Sequence, residues 1–374
     1  MGAAPFGGVL VVSLEQAVAG PMASQRLAEA GARVIKIERP EGDFARGYDK
    51  AANGVASYFA WLNRGKESIA LDLRQAAEWG LLRHMISKAD VFIQNLGHGA
   101  TARMGLGATA LRADQPGLIV CDISGYGAEG PRATAKAYDL LVQAESGLIS
   151  VSGAPGAEGR IGVSVADIAT GTNAALAISQ ALARKARTGE GAHIQVSLFD
   201  TLAEWMTVPL LHHDYLGQAP APAGLAHPSI APYGAFTCAD GERILISIQS
   251  DREWRVLARL IGRDEMATDP DFATNNARVA NRAATDGAVA CWFAGQSVAE
   301  AERALDAHRI AYGRLNSVAG LSVHPQLRRR RHSHGLGSVD LPASALRCGW
   351  SAEDADVPDL DQQGSALRAE FGVD

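Results

Sequence analysis

The sequence predicts an α/β protein in which a Rossmann-like large domain is followed by a smaller α+β domain. Short β-branched runs alternate with longer helix-like segments through the first half, the pattern of parallel strands joined by crossover helices. The 374 residues suffice for two hydrophobic cores. After Trp205 a run of His, Gly and Pro interrupts regular patterning, and an Asp-Gly hairpin signal opens a segment of different character.

The elements follow in order. Val9 to Leu14 reads as the first strand. Pro21 to Ala30, rich in Ala and Leu with Pro at its opening, reads as a helix stopped by Gly31. Arg33 to Ile37 is the second strand and completes a βαβ unit. Val91 to Gln94, Leu118 to Ile123 and His193 to Leu198 are later strands, and the longest helix runs from about Ile168 to Ala186. Residues 1–204 form the large domain. His212, His213, Gly217, Pro220, Pro222, Gly224 and Pro228 break any regular element, which makes 205–228 a linker. Beyond it, Gly234 to Cys238 and Arg243 to Ile248 flank the Asp240-Gly241 turn. Helices at 251–262, 276–294 and 297–308 and a strand at 311–316 complete the small domain, 229–320. Residues 321–374 form a C-terminal segment in which Arg328 to Arg331 reads as a solvated charge run.

Composition narrows the function. Hydrophobic residues make up 47% and charged residues 20%, which excludes a disordered chain. No apolar run reaches the length of a membrane span. The net charge of 35 − 41 = −6 argues against nucleic acid and anionic lipid as partners. An anionic ligand must therefore be gripped by local cations. The four cysteines form no CxxC pair, the histidines show no metal-ligand spacing, and no basic segment precedes the apolar stretch Gly8 to Leu14. Neither a metal site nor a signal peptide is expected, and the chain reads as cytoplasmic.

Familiar nucleotide signatures are missing. The turn after the first strand, Glu15-Gln16-Ala17-Val18-Ala19-Gly20-Pro21, lacks the glycine fingerprint of dinucleotide binding, and neither a P-loop nor a nucleophile elbow is present. Three segments carry candidate chemistry instead. Asn95 to Gly105 follows a strand with small residues that let a ligand approach the backbone, and it carries Arg103. Lys136 and Tyr138 precede Asp139 at the start of a helix. Asp167 closes the run Val163-Ser164-Val165-Ala166 where the long helix begins, a helix N-cap position. A carboxylate kept ionised there, beside small residues, can also serve as a nucleophile.

Joint order adds specificity to pieces that are weak singly: Ala19-Gly20-Pro21, Val34-Ile35-Lys36-Ile37-Glu38-Arg39-Pro40, Asn63-Arg64-Gly65-Lys66, Leu71-Asp72-Leu73, Asn95 to Gly105, Gly125-Tyr126-Gly127, Ala166-Asp167 and Asp269-Pro270-Asp271-Phe272. Over almost the whole chain this set resembles the class III CoA-transferase family, also called CaiB/BaiF or formyl-CoA transferase-like. His98 departs from the family, whose members often have Pro there, and the Gly-rich lid of formyl-CoA transferases has no counterpart. The resemblance implies that Asp167 is the catalytic nucleophile. It implies CoA contacts at Val18, Ala19, Arg39, Leu71, Asp72, Leu73, Arg74, Asn95, Leu96, Gly97, Arg103, Met104, Lys136, Ala137, Tyr138 and Asp139. It further implies acyl-CoA and carboxylic acid substrates, no permanently bound cofactor, and an interlocked homodimer in which the C-terminal segment returns to the large domain.

Gln94-Asn95-Leu96 and Lys136-Ala137-Tyr138-Asp139-Leu140-Leu141 resemble members that handle C4–C5 dicarboxylates such as mesaconate, itaconate, succinate or malate. Two alternatives remain: an α-methylacyl-CoA racemase and a non-catalytic CoA-binding protein. The racemases use a His–Asp pair whose His falls at Tyr138, and a phenol is a poor reversible base at neutral pH.

Overall fold

The structure, a computed structural model, describes residues 4–350 and 355–372. The chain divides into two compact units. The first takes the chain up to Leu148, returns for Ile161–Val208 and returns again from Arg328; the second comprises Ile149–Arg160 and Pro209–Leu327.

The first unit opens with β1 (Leu10–Leu14), α1 (Ala19–Glu29), β2 (Arg33–Glu38), α2 (Ser57–Asn63), β3 (Glu67–Ala70), α3 (Ala76–Lys88) and β4 (Val91–Gln94). It continues with α4 (Ala100–Arg103), α5 (Ala108–Asp114), β5 (Ile119–Ser124) and α6 (Asp139–Glu145). The chain then passes into the second unit through a short helix, α7 (Leu148–Val151), and the two-residue strands β6 (Gly153–Ala154) and β7 (Ala157–Glu158), before it returns to the first. Then come α8 (Val165–Thr188), β8 (His193–Ser197) and α9 (Leu198–Trp205). Six strands form one parallel sheet in the order β3-β2-β1-β4-β5-β8. Interior strands buried on both faces are mostly apolar, as the run Leu10-Val11-Val12 shows, and the exceptions Ser13 and Lys36 must find polar partners inside the protein. Val12, Leu14, Ile35, Ile37, Phe92 and Val120 share a core with α3, α5 and a C-terminal helix described below.

The second unit is built on an antiparallel sheet, β11-β10-β9, from β9 (Tyr233–Thr237), β10 (Arg243–Ser247) and β11 (Tyr312–Arg314). The expected Asp240-Gly241 turn joins β9 to β10, with Gly241 at φ +81°. Helix α10 (Thr207–Leu216) precedes this sheet in the chain; α11 (Asp251–Leu260), α12 (Asn275–Ala280), α13 (Arg282–Ala294) and α14 (Val298–Ala307) lie between its strands, and α15 (Val318–Ser322) follows. Trp254, Leu257, Val289, Phe293 and Leu305 pack on Ile244 and Ile246. Ser250 with Glu253, and Ser297 with Glu300, close capping boxes at the starts of α11 and α14.

Several expectations are corrected. Residues 207–216, assigned to a linker without regular structure, form α10. Pro209 sits in its first turn, where no N–H donor is required, and Gly217 and the prolines come after its end. Strand β3 was not expected because Glu67-Ser68-Ile69-Ala70 holds a single β-branched residue, whereas the equally short Val91-Phe92-Ile93-Gln94 opens with three strand-forming ones. Arg328, Arg329 and Arg331 are exposed, as expected of a solvated run, but Arg329 to Arg331 also open a strand that was not expected, β12 (Arg329–His334), which pairs with β13 (Gly337–Pro342), and Arg331 meets Asp340 at 2.9 Å. The described chain ends in α16 (Gly364–Phe371), the helix that shares the sheet core through Leu367 and Phe371.

Helix α8 spans 24 residues and packs along α1. A Cβ on Gly171 would lie 2.5 Å from the Ala19 carbonyl oxygen and 2.6 Å from Met22 Cβ, so the approach of the two helices requires glycine there. Gly171→Ala should destabilise the fold by about 1–3 kcal/mol through overpacking, read as a lower urea midpoint. An unchanged midpoint would show that the helices separate at no cost.

Candidate active site

The path of the chain reverses at β1: successive strands run outward to β3, and β4 then returns to the other side of β1. The carboxyl ends of β1 and β4 diverge around a crevice, the position where open α/β sheets bind ligands. Two turns meet there. The Asn95 side chain accepts a hydrogen bond from Gln16 N–H at 2.9 Å and donates to the Gln16 carbonyl at 2.8 Å. Asp43 accepts from Ala17 N–H at 3.1 Å. These bonds hold Ala17 at φ +62°, a left-handed conformation that a residue with a Cβ adopts only under constraint. Val18 and Ala19 follow as the buried start of α1.

A cluster of charges lies behind this turn. Lys36 meets Asp43 at 2.9 Å and Glu15 at 3.6 Å, and Lys66 meets Glu15 at 2.7 Å; all four side chains are removed from solvent. Ser13 and Ser24 donate to Glu15 at 2.5 and 2.7 Å. Burial alone would lower the Lys36 pKa, but the carboxylates of Glu15, Asp43 and Glu38 overcome it and raise the value. For Lys66 burial prevails over Glu15 and brings the ammonium down to about 8. Two cations face two carboxylates, so the cluster is balanced.

The first turn of α8 begins at Val165, with Ser164 as its N-cap. Asp167 is therefore the third residue of the helix and not its cap, as the sequence suggested. Ser164 does not cap either; its hydroxyl pairs with Tyr58 Oη at 2.8 Å. The cap comes from another helix. Asp139 Oδ1 accepts from Ala166 N–H at 2.7 Å and from Asp167 N–H at 3.4 Å, while its Oδ2 accepts from Gln143 Nε2 at 2.6 Å. Asp139 is thus bound inside the protein by both oxygens. The carboxylate of Asp167, half-buried, has no hydrogen bond or ion pair among the described residues. Burial first, and the like charge of Asp139 second, push its pKa up to about 7.

Aromatic residues frame this carboxylate. Ile168, Tyr58 and Trp61 all pack against the buried cluster of Val18, Met22 and Leu62. Tyr48, edge-on to Tyr58 at 6.2 Å, has its phenol pushed up to about 12 by burial and by the negative charges of Asp43 and Asp167. Gly125 lets the chain pass at the end of β5, since a Cβ there would stand 2.1 Å from Ala137 Cβ; Ala137 and Tyr138 lead from there into Asp139.

Arg39, Leu71, Asp72, Leu73, Arg74, Leu96 and Met104 come together around one cavity of about 490 Å³, with Leu14, Gln16, Ile37 and Asp43 completing its wall. Arg74 is paired with Asp72 at 2.8 Å, whereas Arg39 is exposed at the rim. Gly97 lies on a separate groove, and Leu96 borders both spaces. Arg103 does not line the cavity; its Nη1 donates to the His98 carbonyl at 3.2 Å. Lys136 is exposed and lies outside the cavity wall. Among the described residues no three His, Cys, Asp or Glu side chains group as metal ligands.

The profile of CoA-transferase family III matches residues 6–361. The chain belongs to that family. It is 36% identical, over 99% of its length and 96% of the relative's, to acetyl-CoA:oxalate CoA-transferase of Acetobacter aceti. It is likewise 36% identical to succinate–glutarate CoA-transferase of Agrobacterium fabrum, over 91% of this chain and 86% of that protein. A crystal structure of a CaiB/BaiF family protein from Brucella suis is similar with a TM-score of 0.85 and 35% identity, covering 99% of this chain and 100% of that one.

In this CoA-transferase the sequence reading missed Asp43, Tyr48 and Tyr58, and it gave no role to Glu15, Lys36 or Lys66. A signal existed for Lys36, an ionisable residue inside the apolar strand Val34-Ile35-Lys36-Ile37 that can be buried only if paired. Tyr48 and Tyr58 lie on a loop and a helix with no local pattern to mark them.

The native pKa of Asp167 lies above its ordinary 3.8, so the folded state holds the proton more tightly than the unfolded chain. The favourable contribution of this group is complete below 3.8 and disappears as pH rises through 7. Asp167→Asn should therefore raise Tm, most at about pH 8 and progressively less toward about pH 4. A variant less stable than the parent at about pH 8 would mean that the carboxylate is not under strain.

Proposed function

We propose that Asp167 is the nucleophile of this CoA-transferase and that the cavity walled by Arg39, Leu73 and Met104 receives the nucleotide end of the acyl-CoA. One observation carries the proposal: of the two carboxylates at the start of α8, Asp139 absorbs the helix N–H groups and Asp167 is left open. An ionised Asp167 attacks the thioester carbonyl of a donor acyl-CoA, giving a mixed anhydride and CoA thiolate. The thiolate attacks the aspartyl carbonyl, releasing the donor acid and forming an aspartyl-CoA thioester. An acceptor carboxylate attacks that thioester to form a new anhydride and thiolate, and the thiolate then takes the acceptor acyl group and frees Asp167. Each intermediate conserves the activation of the thioester, so the sequence consumes no ATP and needs no metal.

The acids we propose are small dicarboxylates of the C4–C5 class, among them mesaconate, itaconate, succinate and malate. The names of the relatives, which specify oxalate, succinate and glutarate, support that class. The protein works as an interlocked homodimer in this reading, and α10, which buries no residue and exposes Val208, Leu211, Tyr215 and Leu216, offers apolar surface to a second copy. A cytoplasmic setting accords with four cysteines of which none is in a disulfide.

The racemase alternative requires a second acid–base group beside Asp167. Tyr138 stands at the N-cap of α6, 66% exposed. A 2-methylacyl-CoA incubated in D₂O without acceptor acid should show little exchange at C2. Rapid exchange with no transfer to any dicarboxylate would favour the racemase.

Asp167→Ala should lower transfer from succinyl-CoA to a dicarboxylate by at least about a thousandfold, followed by mass spectrometry of the acyl-CoA products. In the wild type kcat/KM should fall as pH drops through about 7, because the nucleophile of the free enzyme must be ionised. Asp139→Asn, which removes the like charge, should move that limb to lower pH; a shift upward would contradict the assignment. Arg39→Ala should raise KM for acyl-CoA more than it lowers kcat, and equal loss with a pantetheine-truncated thioester would remove Arg39 from the nucleotide site.

A further inference from the structure

A chain of hydrogen bonds crosses three strands beside the crevice. Gln94, the last residue of β4, and Asp122 of β5 are register partners, and Asp122 is in turn level with Gln195 of β8. His193, two residues before Gln195, projects from the same face. His193 Nε2 donates to Asp122 Oδ2 at 2.7 Å, and Gln94 Nε2 donates to Asp122 Oδ1 at 2.9 Å. With its NH₂ so directed, Gln94 turns Oε1 toward the next turn and accepts from Leu96 N–H at 2.8 Å. Gln94 is only 8% exposed, so its amide depends on these partners and not on water.

An amide side chain can present either end to a neighbour, and the neighbour's chemistry decides which. An ionised carboxylate only accepts, so Asp122 fixes the NH₂ end of Gln94 on itself and leaves the oxygen for Leu96. With an uncharged partner at 122 the amide can rotate and set an NH₂ against the Leu96 N–H. Leu96 walls the 490 Å³ cavity on one side and, with Gly97, a groove of about 370 Å³ on the other. The next residue, Asn95, clamps the Gln16 backbone through two bonds. The turn Asn95-Leu96-Gly97 is therefore set from two directions: by Asn95 from the β1 side and by the relay from the β5 and β8 side.

We infer that Asp122, oriented by His193 and acting through Gln94, is a positioning residue that shapes the Leu96 wall of the nucleotide cavity and so sets affinity for the CoA moiety. The inference rests on the reading of that cavity as the site of the nucleotide end of acyl-CoA. Asp122 lies outside the wall of the nucleotide cavity and borders the neighbouring groove, so in this reading it acts through Gln94.

The test is a charge swap across the relay. Asp122→Asn and Gln94→Glu each break the pattern, the first by freeing the amide to rotate and the second by opposing two carboxylates. The double variant Gln94→Glu with Asp122→Asn restores it. Glu at 94 accepts from Leu96 N–H and from the Asn at 122, whose oxygen still accepts from His193. Each single variant should raise KM for full-length succinyl-CoA about tenfold with kcat within about twofold, and leave KM for the pantetheine-truncated thioester unchanged. The double variant should return KM to within about threefold of wild type. Unchanged KM in the single variants, an equal rise with the truncated thioester, or no recovery in the double variant overturns the inference while leaving the transferase reading intact. A wild type that does not distinguish full-length from truncated thioester overturns both the nucleotide cavity and the inference. Should one single variant fail to fold, the other and the double variant decide: KM about tenfold higher in the single with recovery in the double supports the inference, and KM unchanged in the single overturns it.

Discussion

The N–H groups in the first turn of a helix need acceptors, and α8 receives them from a carboxylate on a different helix. Asp139 accepts from Ala166 and Asp167 while Gln143 holds its other oxygen. The rest of the site depends on this arrangement. It fixes α6 against α8, sets the direction of the chain from Lys136 to Tyr138, and relieves Asp167 of the capping duty that its place in the sequence suggests. It also sets a second negative charge beside Asp167, which raises the proton affinity of that carboxylate beyond the effect of burial. A basic carboxylate is a better nucleophile than an acidic one once ionised, at the cost of being partly protonated near neutral pH.

The same logic runs through the turn after β1. Glu15, Lys36, Asp43 and Lys66 are buried together, and their pairing outweighs the desolvation of Glu15 and Lys36 but not that of Lys66. Apolar replacements could be more stable, but they could not hold Ala17 N–H as Asp43 does, nor keep the left-handed Ala17 in place. Three polar devices therefore converge on the crevice between β1 and β4: the ion cluster behind it, Asn95 across it, and the relay from His193 to Leu96 at its side. Gly171 and Gly125 complete the set by permitting contacts that any side chain would prevent.

Much of this was legible in the sequence. Parallel strands showed as apolar runs, the Asp240-Gly241 turn announced its hairpin, and the ordered motifs led to the family that the profile match establishes. Asp167 was singled out from its position at a helix start, although in the wrong structural role, because the competing cap, Asp139, lies 28 residues away and no local pattern links the two. The burial of Lys36 was written into its strand. The positions of Tyr48 and Tyr58 were not, since each reaches the site only through the packing of a loop and a helix. Helix α10 was hidden by histidines and a following glycine and prolines, which mark where it stops and were read as marking its absence.

The most direct measurement of nucleophilic catalysis is the covalent state of Asp167 during turnover. The protein would be incubated with succinyl-CoA, quenched with hydroxylamine, which converts an aspartyl thioester or anhydride to a hydroxamate, and digested with trypsin. Asp167 lies in the peptide from Ile161 to Arg184, which contains no other carboxylate. A hydroxamate on that peptide, dependent on acyl-CoA and absent in Asp167→Ala, is the expected result. Sustained transfer with that peptide unmodified, or with the label on a different carboxylate, would contradict it.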